Sequence, residues 1–347
     1  MEEFIIHSDT FKVLSSFQKI NRFNRTLQFL FMVSILDIYK AKKIIAPYVL
    51  RTTLEYSNLL SGLTGGEVWL KYENRQLTGS FKIRGAANRM LAMIPEERRR
   101  GVITASAGNH GQGVGYIAKE LKVRARVYVP RNSPEVKCAA MRDLDVELIV
   151  HGSEYMEAEN LAKKTAKQEN AIYISAYNDP LLIAGQGTVG LEMLEEKPDL
   201  DTILVPLGAG GLAGGVAVSW KSASGAAVIG VQSHASPVMH MSLKAGRIIN
   251  IPVMDSIAEG LHGGIEHGSI TFDLCKLLSE DILVEEKTIG EAMKFMILKH
   301  REVVEGAGAV GIAALMEQPK KFKGKKIGVI ISGGNLDERE IRKIVSS

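Results

Sequence analysis

The chain of 347 residues is about twice as long as a typical single domain, which predicts two domains or one large domain with an inserted lobe. Its 46% hydrophobic and 24% charged residues exclude a disordered, collagen-like or coiled-coil protein. The net charge of +4 arises from 43 basic and 39 acidic residues that are interleaved along the chain, so no nucleic-acid partner is implied.

The cysteine content and the N-terminal region bear on the compartment. Cys138 and Cys275 are too few for a disulfide framework and suit a reducing environment. The longest apolar run, Phe29 to Leu36, is far shorter than the ~20 residues that span a bilayer. It also lacks a small-residue cleavage site, which disfavours a secretory signal. We therefore expect a cytoplasmic protein with no membrane partner, and we interpret residues 1–31 as an N-terminal extension: an extra helix, or an over-extended start before Met32.

From residue 66 onward, short apolar runs alternate with amphipathic stretches, which predicts an α/β fold with open parallel sheets built from βαβ units. The predicted strands are Val68–Tyr72, Val102–Ala105, Ala125–Val129, Val146–Val150, Ala171–Ser175, Thr202–Leu207, Val228–Gln232 and Ile327–Ser332. The clearest helical patterns are His110–Leu121, Pro134–Arg142 and Glu154–Gln168. Two capping-box patterns, at Thr288/Glu291 and Asn335/Glu338, predict two further helix starts.

A glycine-rich run, Gly208 to Gly215, directly follows the predicted strand Thr202–Leu207. Backbone amides at a helix N-terminus that carry no bulky side chains favour a bound phosphate. The spacing also fits the dinucleotide pattern G-x-G-x-x-A, but that reading needs an acidic residue at the end of the next strand, where Gln232 stands. A tight helix–strand packing turn is the remaining alternative.

The segment Thr78 to Ala86 contains a lysine in an unusual position. Ser80 is a suitable helix N-cap and would place Lys82 in the first helical turn. The helix dipole opposes a cation there and favours a neutral, reactive amine, as Schiff-base chemistry requires. The alternative is an exposed lysine beside a glycine turn.

Two further segments follow predicted strands. Ser106 to Gly113 offers small residues before a helix, which suit a carboxylate, and an amide at Asn109 that can donate to an oxygen. His110 could be a base, a helix cap or a packed core histidine. Ser332 offers one hydroxyl to a ring nitrogen, although by itself this turn is only a helix cap.

Together and in this order, the motifs resemble a known family. The set comprises GSFKIRGA, SAGNHGQG, AGQGTVGLE, GAGGLAGG, VEGAGA and ISGGN. It is similar to the pyridoxal-phosphate enzymes of the tryptophan-synthase β fold (fold type II), and within them to the serine/threonine dehydratases. The resemblance extends from about Asp37 to the C-terminus.

The resemblance implies a role for each motif. Lys82 would form the internal aldimine with pyridoxal 5'-phosphate, Phe81 would line the cofactor pocket, and Asn109 would bond the 3′ oxygen of the ring. Ser332 would face the pyridine nitrogen. The phosphate cradle would comprise Gly208, Ala209, Gly210, Gly211 and Leu212. The substrate would meet Ser106, Ala107, Gly108, His110, Tyr177 and Glu259.

Three departures from the family pattern refine this expectation. Ala107 stands where serine racemases of the family place a serine that donates a proton on the second face, so elimination is favoured over racemisation. Gln232 replaces the acidic residue that begins the family's metal site, so we expect no metal ion. Glu259-Gly260 stands where threonine dehydratases usually have Asp-Gly, which leaves the specificity for threonine open.

These observations lead to one hypothesis for the whole chain. A small lobe at 101–178 would be inserted into a large cofactor-binding domain formed by 32–100 and 179–347. The enzyme would dehydrate and deaminate a hydroxy-amino acid, L-threonine or L-serine first, and would form a homodimer or homotetramer. The alternatives are a racemase, a dehydratase of an unusual hydroxy-amino acid, and a regulatory binding protein that retains the cofactor.

Overall fold

Two sheets and the helices that cover them form the part of the chain that the structure, a computed structural model, describes: residues 33–133, 135–221 and 225–346. The predicted extension 1–31 lies outside these residues. The strands are β1 (Leu54–Tyr56), β2 (Glu67–Tyr72), β3 (Val102–Ala105), β4 (Ala125–Val129), β5 (Glu147–Val150), β6 (Ile172–Tyr173), β7 (Thr202–Pro206), β8 (Ala227–Ser233), β9 (Glu280–Val284) and β10 (Lys326–Ile331).

Helices connect most of these strands. They are α1 (Ile35–Ile45), α2 (Asn58–Thr64), α3 (Lys82–Leu91), α4 (Pro95–Arg100), α5 (Asn109–Leu121), α6 (Glu135–Arg142), α7 (Tyr155–Gln168), α8 (Pro180–Glu196), α9 (Gly211–Lys221), α10 (Val238–Ala245), α11 (Ile270–Cys275), α12 (Glu286–Phe295), α13 (Gly306–Glu317) and α14 (Glu338–Ser346). Short 3-10 turns occupy Glu73–Arg75, Glu259–Leu261 and Pro319–Phe322, and a π-helical turn occupies Met296–His300. None of the described helices is long and apolar enough to cross a membrane.

The strands form one six-stranded sheet, in the order β1-β2-β10-β7-β8-β9, and one four-stranded sheet, in the order β5-β4-β3-β6. Every pairing is parallel except that of β1 with β2. The predicted α/β fold with open parallel sheets is therefore confirmed. All four strands of the smaller sheet lie between residues 102 and 173, within the segment predicted as the small lobe, although the lobe boundaries themselves stay a prediction.

The burial of the parallel strands on both faces explains why their sequences are continuous apolar runs. All residues of β3 and β7 are buried, as expected for strands that are covered by helices on both faces. Helices α8, α9 and α13 are also buried around most of their circumference. Helices α8 and α9 lie against each other, and α9 and α13 lie against strands of the six-stranded sheet, so the carboxyl ends of these strands are held by rigid elements.

Three expected helix caps were wrong. Helix α12 begins at Glu286 with Glu285 at its N-cap, so Thr288 lies inside it. Asn335 does not cap α14; its side chain instead bonds Thr78 and Asn109, while the Asp337 carboxylate accepts the Glu340 N–H at 2.8 Å. Ser80 is not the cap of α3 either, because Phe81 holds that position and Ser80 forms an isolated bridge with Gly333. Lys82 is nevertheless in the first turn, as expected.

Candidate active site

Lys82 begins α3, and its side chain is partly buried. Its Nζ donates to the Ala176 carbonyl oxygen at 2.9 Å and lies 5.4 Å from the centre of the Phe81 ring. Burial lowers the pKa of Lys82 to about 8, although the charge of Glu305 acts in the opposite direction. A large fraction of this amine is therefore neutral at mildly alkaline pH, as a nucleophile or a proton acceptor requires.

The glycine run forms a tight turn that leads from β7 into α9, which begins at Gly211. Gly210 has a φ of +91°, and a Cβ atom added there would lie 2.6 Å from the Cys275 Sγ. A Cβ atom at Gly211 would lie 3.2 Å from the Cα atom of Tyr177. Ala209 packs against the core and Leu212 is buried in it. The first-turn N–H groups of α9 have no partner within the helix and can bind an anion.

Lys82 and the glycine turn both contact the dipeptide Ala176-Tyr177. Lys82 Nζ bonds the carbonyl of Ala176, and Gly211 packs against the backbone of the next residue, Tyr177. A ligand with an aldehyde at one end and a phosphate at the other could therefore contact both elements.

The turn after β10 borders the lysine segment on another side. Phe81 N–H donates to the Ser332 carbonyl oxygen at 3.1 Å, and Ser80 pairs with Gly333. Ser332 itself is buried. The structure thus places Ser332 next to Phe81 in the backbone ladder, at the end of a central strand of the six-stranded sheet.

Asn109, the first residue of α5, is held at both ends of its side-chain amide. Its Oδ1 accepts from Asn335 Nδ2 at 2.7 Å, and its Nδ2 donates to Glu305 Oε1 at 2.7 Å. One hydrogen of the Nδ2 group thereby remains for a further acceptor. The orientation of this amide is fixed before any ligand binds.

Glu305 is a partly buried residue that sequence reasoning did not identify. Burial raises its pKa to about 7, which the hydrogen bond from Asn109 and the charge of Lys137 partly oppose. A Cβ atom at Gly260 would lie 3.7 Å from Glu305 Oε1, and one at Gly333 would lie 2.5 Å from it. The available signal was an acidic residue directly before the glycine- and alanine-rich α13, within the VEGAGA motif.

The segment at 106–110, predicted to meet the substrate, runs from β3 into α5. Ser106 N–H donates to the Tyr128 carbonyl oxygen at 3.1 Å, and Gly108 N–H donates to Ser106 Oγ at 3.2 Å, so both groups already have partners. A Cβ atom at Gly108 would meet nothing within 4 Å, and Ala107 is partly exposed. The chain is open to a ligand at this turn.

His110 lies behind that turn and is buried. Its Nε2 lies 3.3 Å from the Ile174 carbonyl oxygen, so this nitrogen carries the proton. Burial, together with the charge of Lys82, lowers the pKa of His110 to about 3. His110 is therefore a neutral hydrogen-bonding group at physiological pH and does not gain a proton there.

Tyr177 lies against the glycine turn, and Glu259 belongs to a short turn whose Leu261 also lies against it. The Tyr177 hydroxyl accepts the Glu266 N–H at 2.9 Å, and burial raises the pKa of this phenol. Glu259 is largely exposed and pairs with Lys137 of α6, whose Nζ lies 2.5 Å from Glu259 Oε2. Leu261, in the same short turn as Glu259, lies 3.0 Å from where a Cβ atom of Gly208 would be.

The model of one family, the pyridoxal-phosphate dependent enzymes, matches residues 45–333 of this chain. The chain belongs to that family. The L-threonine ammonia-lyase of Thermotoga maritima is 42% identical over 317 residues, which are 91% of this chain and 79% of that protein. The catabolic L-threonine dehydratase of Escherichia coli K12 is 38% identical over 316 residues, which are 90% of this chain and 96% of that protein.

Solved structures agree with this membership. Maize serine racemase aligns with a TM-score of 0.86 and 33% identity, over 90% of this chain and 97% of its own. The processed threonine deaminase isoform 2 of Solanum lycopersicum aligns with a TM-score of 0.85 and 32% identity, over 93% of each chain. The predicted fold type and family are thus confirmed, and the cofactor of this enzyme is pyridoxal phosphate.

The residues present fit that cofactor. An amine of lowered pKa suits an aldehyde, and the turn around Gly210 and Gly211 lies at a helix N-terminus with no room for side chains. Ser80 Oγ and His110 Nδ1 are buried and have no hydrogen-bond partner among the described residues. Unpaired buried polar atoms of this kind are expected around a site that binds a polar ligand.

The possible metal ligands of the described residues do not cluster. Within residues 33–133, 135–221 and 225–346, no group of three or more His, Cys, Asp and Glu side chains could hold a metal ion. Gln232, which replaces an acidic residue of the family pattern, bonds the first turn of α10: its Oε1 accepts the His240 N–H at 3.1 Å. This side chain therefore has a structural role of its own.

Proposed function

We propose that this enzyme deaminates a β-hydroxy amino acid, with L-threonine first and L-serine second. Elimination of water is followed by hydrolysis of the product, which takes up one water and releases ammonia with 2-oxobutyrate or pyruvate. The observation that carries the proposal is the position of the Lys82 amine between the glycine turn and the turn after β10. The names of the Thermotoga and Escherichia relatives support threonine as the first choice.

Each predicted site residue has a place in this proposal. Lys82 would hold the cofactor aldehyde, and the backbone from Gly208 to Leu212 would hold the phosphate. Asn109, oriented by Glu305 and Asn335, would donate its free N–H to the cofactor oxygen. Ser332 would offer a neutral hydroxyl to the ring nitrogen, while Phe81 would pack at the ring edge.

The chemistry then divides between the cofactor and the chain. When bound, pyridoxal phosphate supplies the electron sink that lets negative charge develop on the substrate Cα. Lys82 Nζ would accept the Cα proton, since its lowered pKa leaves it partly neutral near pH 8. The turn at 106–110 would hold the substrate carboxylate, and Tyr177 and Glu259 would border the side chain of the substrate.

A purified-protein assay tests this proposal. A panel of hydroxy-amino acids is scored for ammonia and 2-oxo acid, and the absorbance spectrum is recorded first. We expect a band at roughly 410–420 nm and release of ammonia from L-threonine, both lost in Lys82→Ala. The matched control is Lys119→Ala, which removes an exposed lysine. Formation of 2-oxobutyrate at the wild-type rate by Lys82→Ala would refute the assignment.

The same assay separates the alternatives. Chiral chromatography of recovered serine would reveal a racemase, a function carried by some of the structural neighbours. Ala107 lacks the hydroxyl of a second proton donor, which supports elimination instead. Turnover of only an unusual hydroxy-amino acid would change the substrate, and binding without any turnover would indicate a regulatory protein.

We also propose that the enzyme is cytoplasmic and forms a homodimer or homotetramer. Both cysteines are free and buried, which supports a reducing compartment. Leu36, Tyr39 and Ile44 are large apolar side chains exposed on α1, which supports self-association. Light scattering after gel filtration gives the subunit number, and a monomeric mass would contradict the oligomer.

A further inference from the structure

Four charged side chains form a buried network behind the lysine. They are Lys71 at the end of β2, Glu73 in the turn after it, Arg84 in α3 and Glu192 in α8. Each side chain is at most 4% exposed. Arg84 Nε lies 2.7 Å from Glu73 Oε2, Arg84 Nη1 lies 2.7 Å from Glu192 Oε1, and Lys71 Nζ lies 2.7 Å from Glu192 Oε2.

Arg84 is the centre of this network. Besides those contacts, its Nη1 donates to Thr188 Oγ1 at 3.2 Å, and its Nη2 donates to both carboxylates and to the Leu50 carbonyl oxygen. A planar guanidinium bonded on all sides has one orientation. The network therefore fixes the orientation of the Arg84 guanidinium as well as its distance from the two carboxylates.

Stability alone is a weak reason for such a network. Removing four charges from water carries a large desolvation cost, and well-packed apolar residues of similar volume often serve stability equally well. What an apolar replacement cannot supply is the fixed relative placement of three separate chain segments.

Those segments surround Lys82. Arg84 lies two residues after it, and Glu73 begins the stretch that leads into it. A Cβ atom at Gly185 of α8 would lie 2.5 Å from the Arg84 carbonyl oxygen, and one at Gly113 of α5 would lie 3.2 Å from the Lys82 carbonyl carbon. Because the backbone of the first turn of α3 is enclosed on both sides, a change in the network must be passed on to the lysine.

We propose that Arg84, held by Glu73 and Glu192, is a positioning residue that sets the location of the Lys82 amine. The proposal rests on the proposed role of Lys82 as the residue that holds the cofactor and moves the Cα proton. A shift of about 1 Å in a reacting group can cost about 100-fold in rate even when binding is retained.

Two variants of the cofactor-loaded enzyme test this. Arg84→Lys keeps the charge but loses the fork of N–H donors. The double variant Lys71→Met with Glu192→Gln removes one charge of each sign, so that the pair of Arg84 with Glu73 stays balanced. Arg89→Met is the matched control, since Arg89 lies on the same helix and loses an ion pair with Asp179 at 2.9 Å, further along α3.

We expect both test variants to fold and to show the cofactor absorbance band. Their kcat should fall about 10- to 100-fold while KM changes less than about threefold. The apparent pKa of the band in a pH titration should also shift, a change that a loss of stability alone does not produce. Arg89→Met should keep the wild-type kcat and the wild-type pH titration.

Other outcomes overturn the proposal. Wild-type kcat and an unshifted titration in either folded variant would show that the network does not position the amine. If neither variant yields folded protein while Arg89→Met does, the network serves folding and the proposal fails. Absence of the band from the wild type itself would refute the role of Lys82, not that of Arg84.

Discussion

The partly buried side chain of Glu305 makes the stability of this protein depend on pH. Its pKa is raised to about 7 from the usual value of 4.5, because burial disfavours the charged form. The folded state thus holds a proton that the unfolded chain releases at lower pH. The stabilising contribution is full below about pH 4.5 and is lost as the pH rises through about 7.

The size of this effect follows from the shift in pKa. A difference of about 2.5 units between the two states corresponds to about 3 kcal/mol, most of it lost between pH 5 and pH 8. Glu305→Gln keeps the shape and cannot ionise, so its stability lacks this dependence. The free energy of unfolding of the variant, relative to that of the wild type, should therefore rise by ~2.5 kcal/mol from pH 5 to pH 8.

Urea unfolding of the apoprotein at pH 5 and pH 8 measures this difference. The wild type should have the lower midpoint at pH 8, and the two proteins should be closest at pH 5. Glu291→Gln is the control, because that carboxylate is largely exposed and its removal should leave the pH dependence of the wild type. If Glu305→Gln and the wild type differ by the same amount at both pH values, Glu305 is not held in a buried, proton-favouring environment.

Two further predictions concern the cofactor site. Gly210→Ala should weaken pyridoxal-phosphate binding at least about tenfold in a titration, because φ is +91° and a Cβ atom would lie 2.6 Å from Cys275 Sγ. Gly246→Ala, where φ is also positive but nothing lies within 4 Å of a Cβ atom, should keep the affinity, and an equal loss in both would contradict the argument. In the apoprotein, acetylation of Lys82 followed by mass spectrometry should be half-maximal near pH 8, and labelling with a midpoint near the usual 10.5 would show an exposed amine.

Much of the fold could be predicted because buried parallel strands are continuous apolar runs. Val102–Ala105 and Ala125–Val129 have the predicted bounds. The two strands that were not predicted are sheet edges: Leu54–Tyr56 has only three residues, and Glu280–Val284 begins with two carboxylates. Half-exposed edges of this kind carry no clear apolar signal.

The wrong helix caps have a similar cause. A capping pattern describes only local preference, and Asn335 shows how a tertiary contact overrides it. Its side chain bonds Asn109 and the Thr78 carbonyl, which are far away in the sequence. Ser80, likewise, is placed by its pairing with Gly333. Local sequence could not supply either partner.

The candidate site was predictable where backbone geometry demands particular residues, as at Gly210 with its positive φ. The raised pKa of Glu305 could not be predicted, because it depends on burial, which a short motif does not show. The network around Arg84 was missed for the same reason: its partners come from distant parts of the chain.

The most direct test of the whole account is to find which amine carries the cofactor. Borohydride reduction of the holoenzyme fixes pyridoxal phosphate to the nitrogen to which it is bonded, and peptide mass spectrometry then locates it. The account predicts one modified residue, Lys82. Modification of any other lysine, with Lys82 left free, would contradict it.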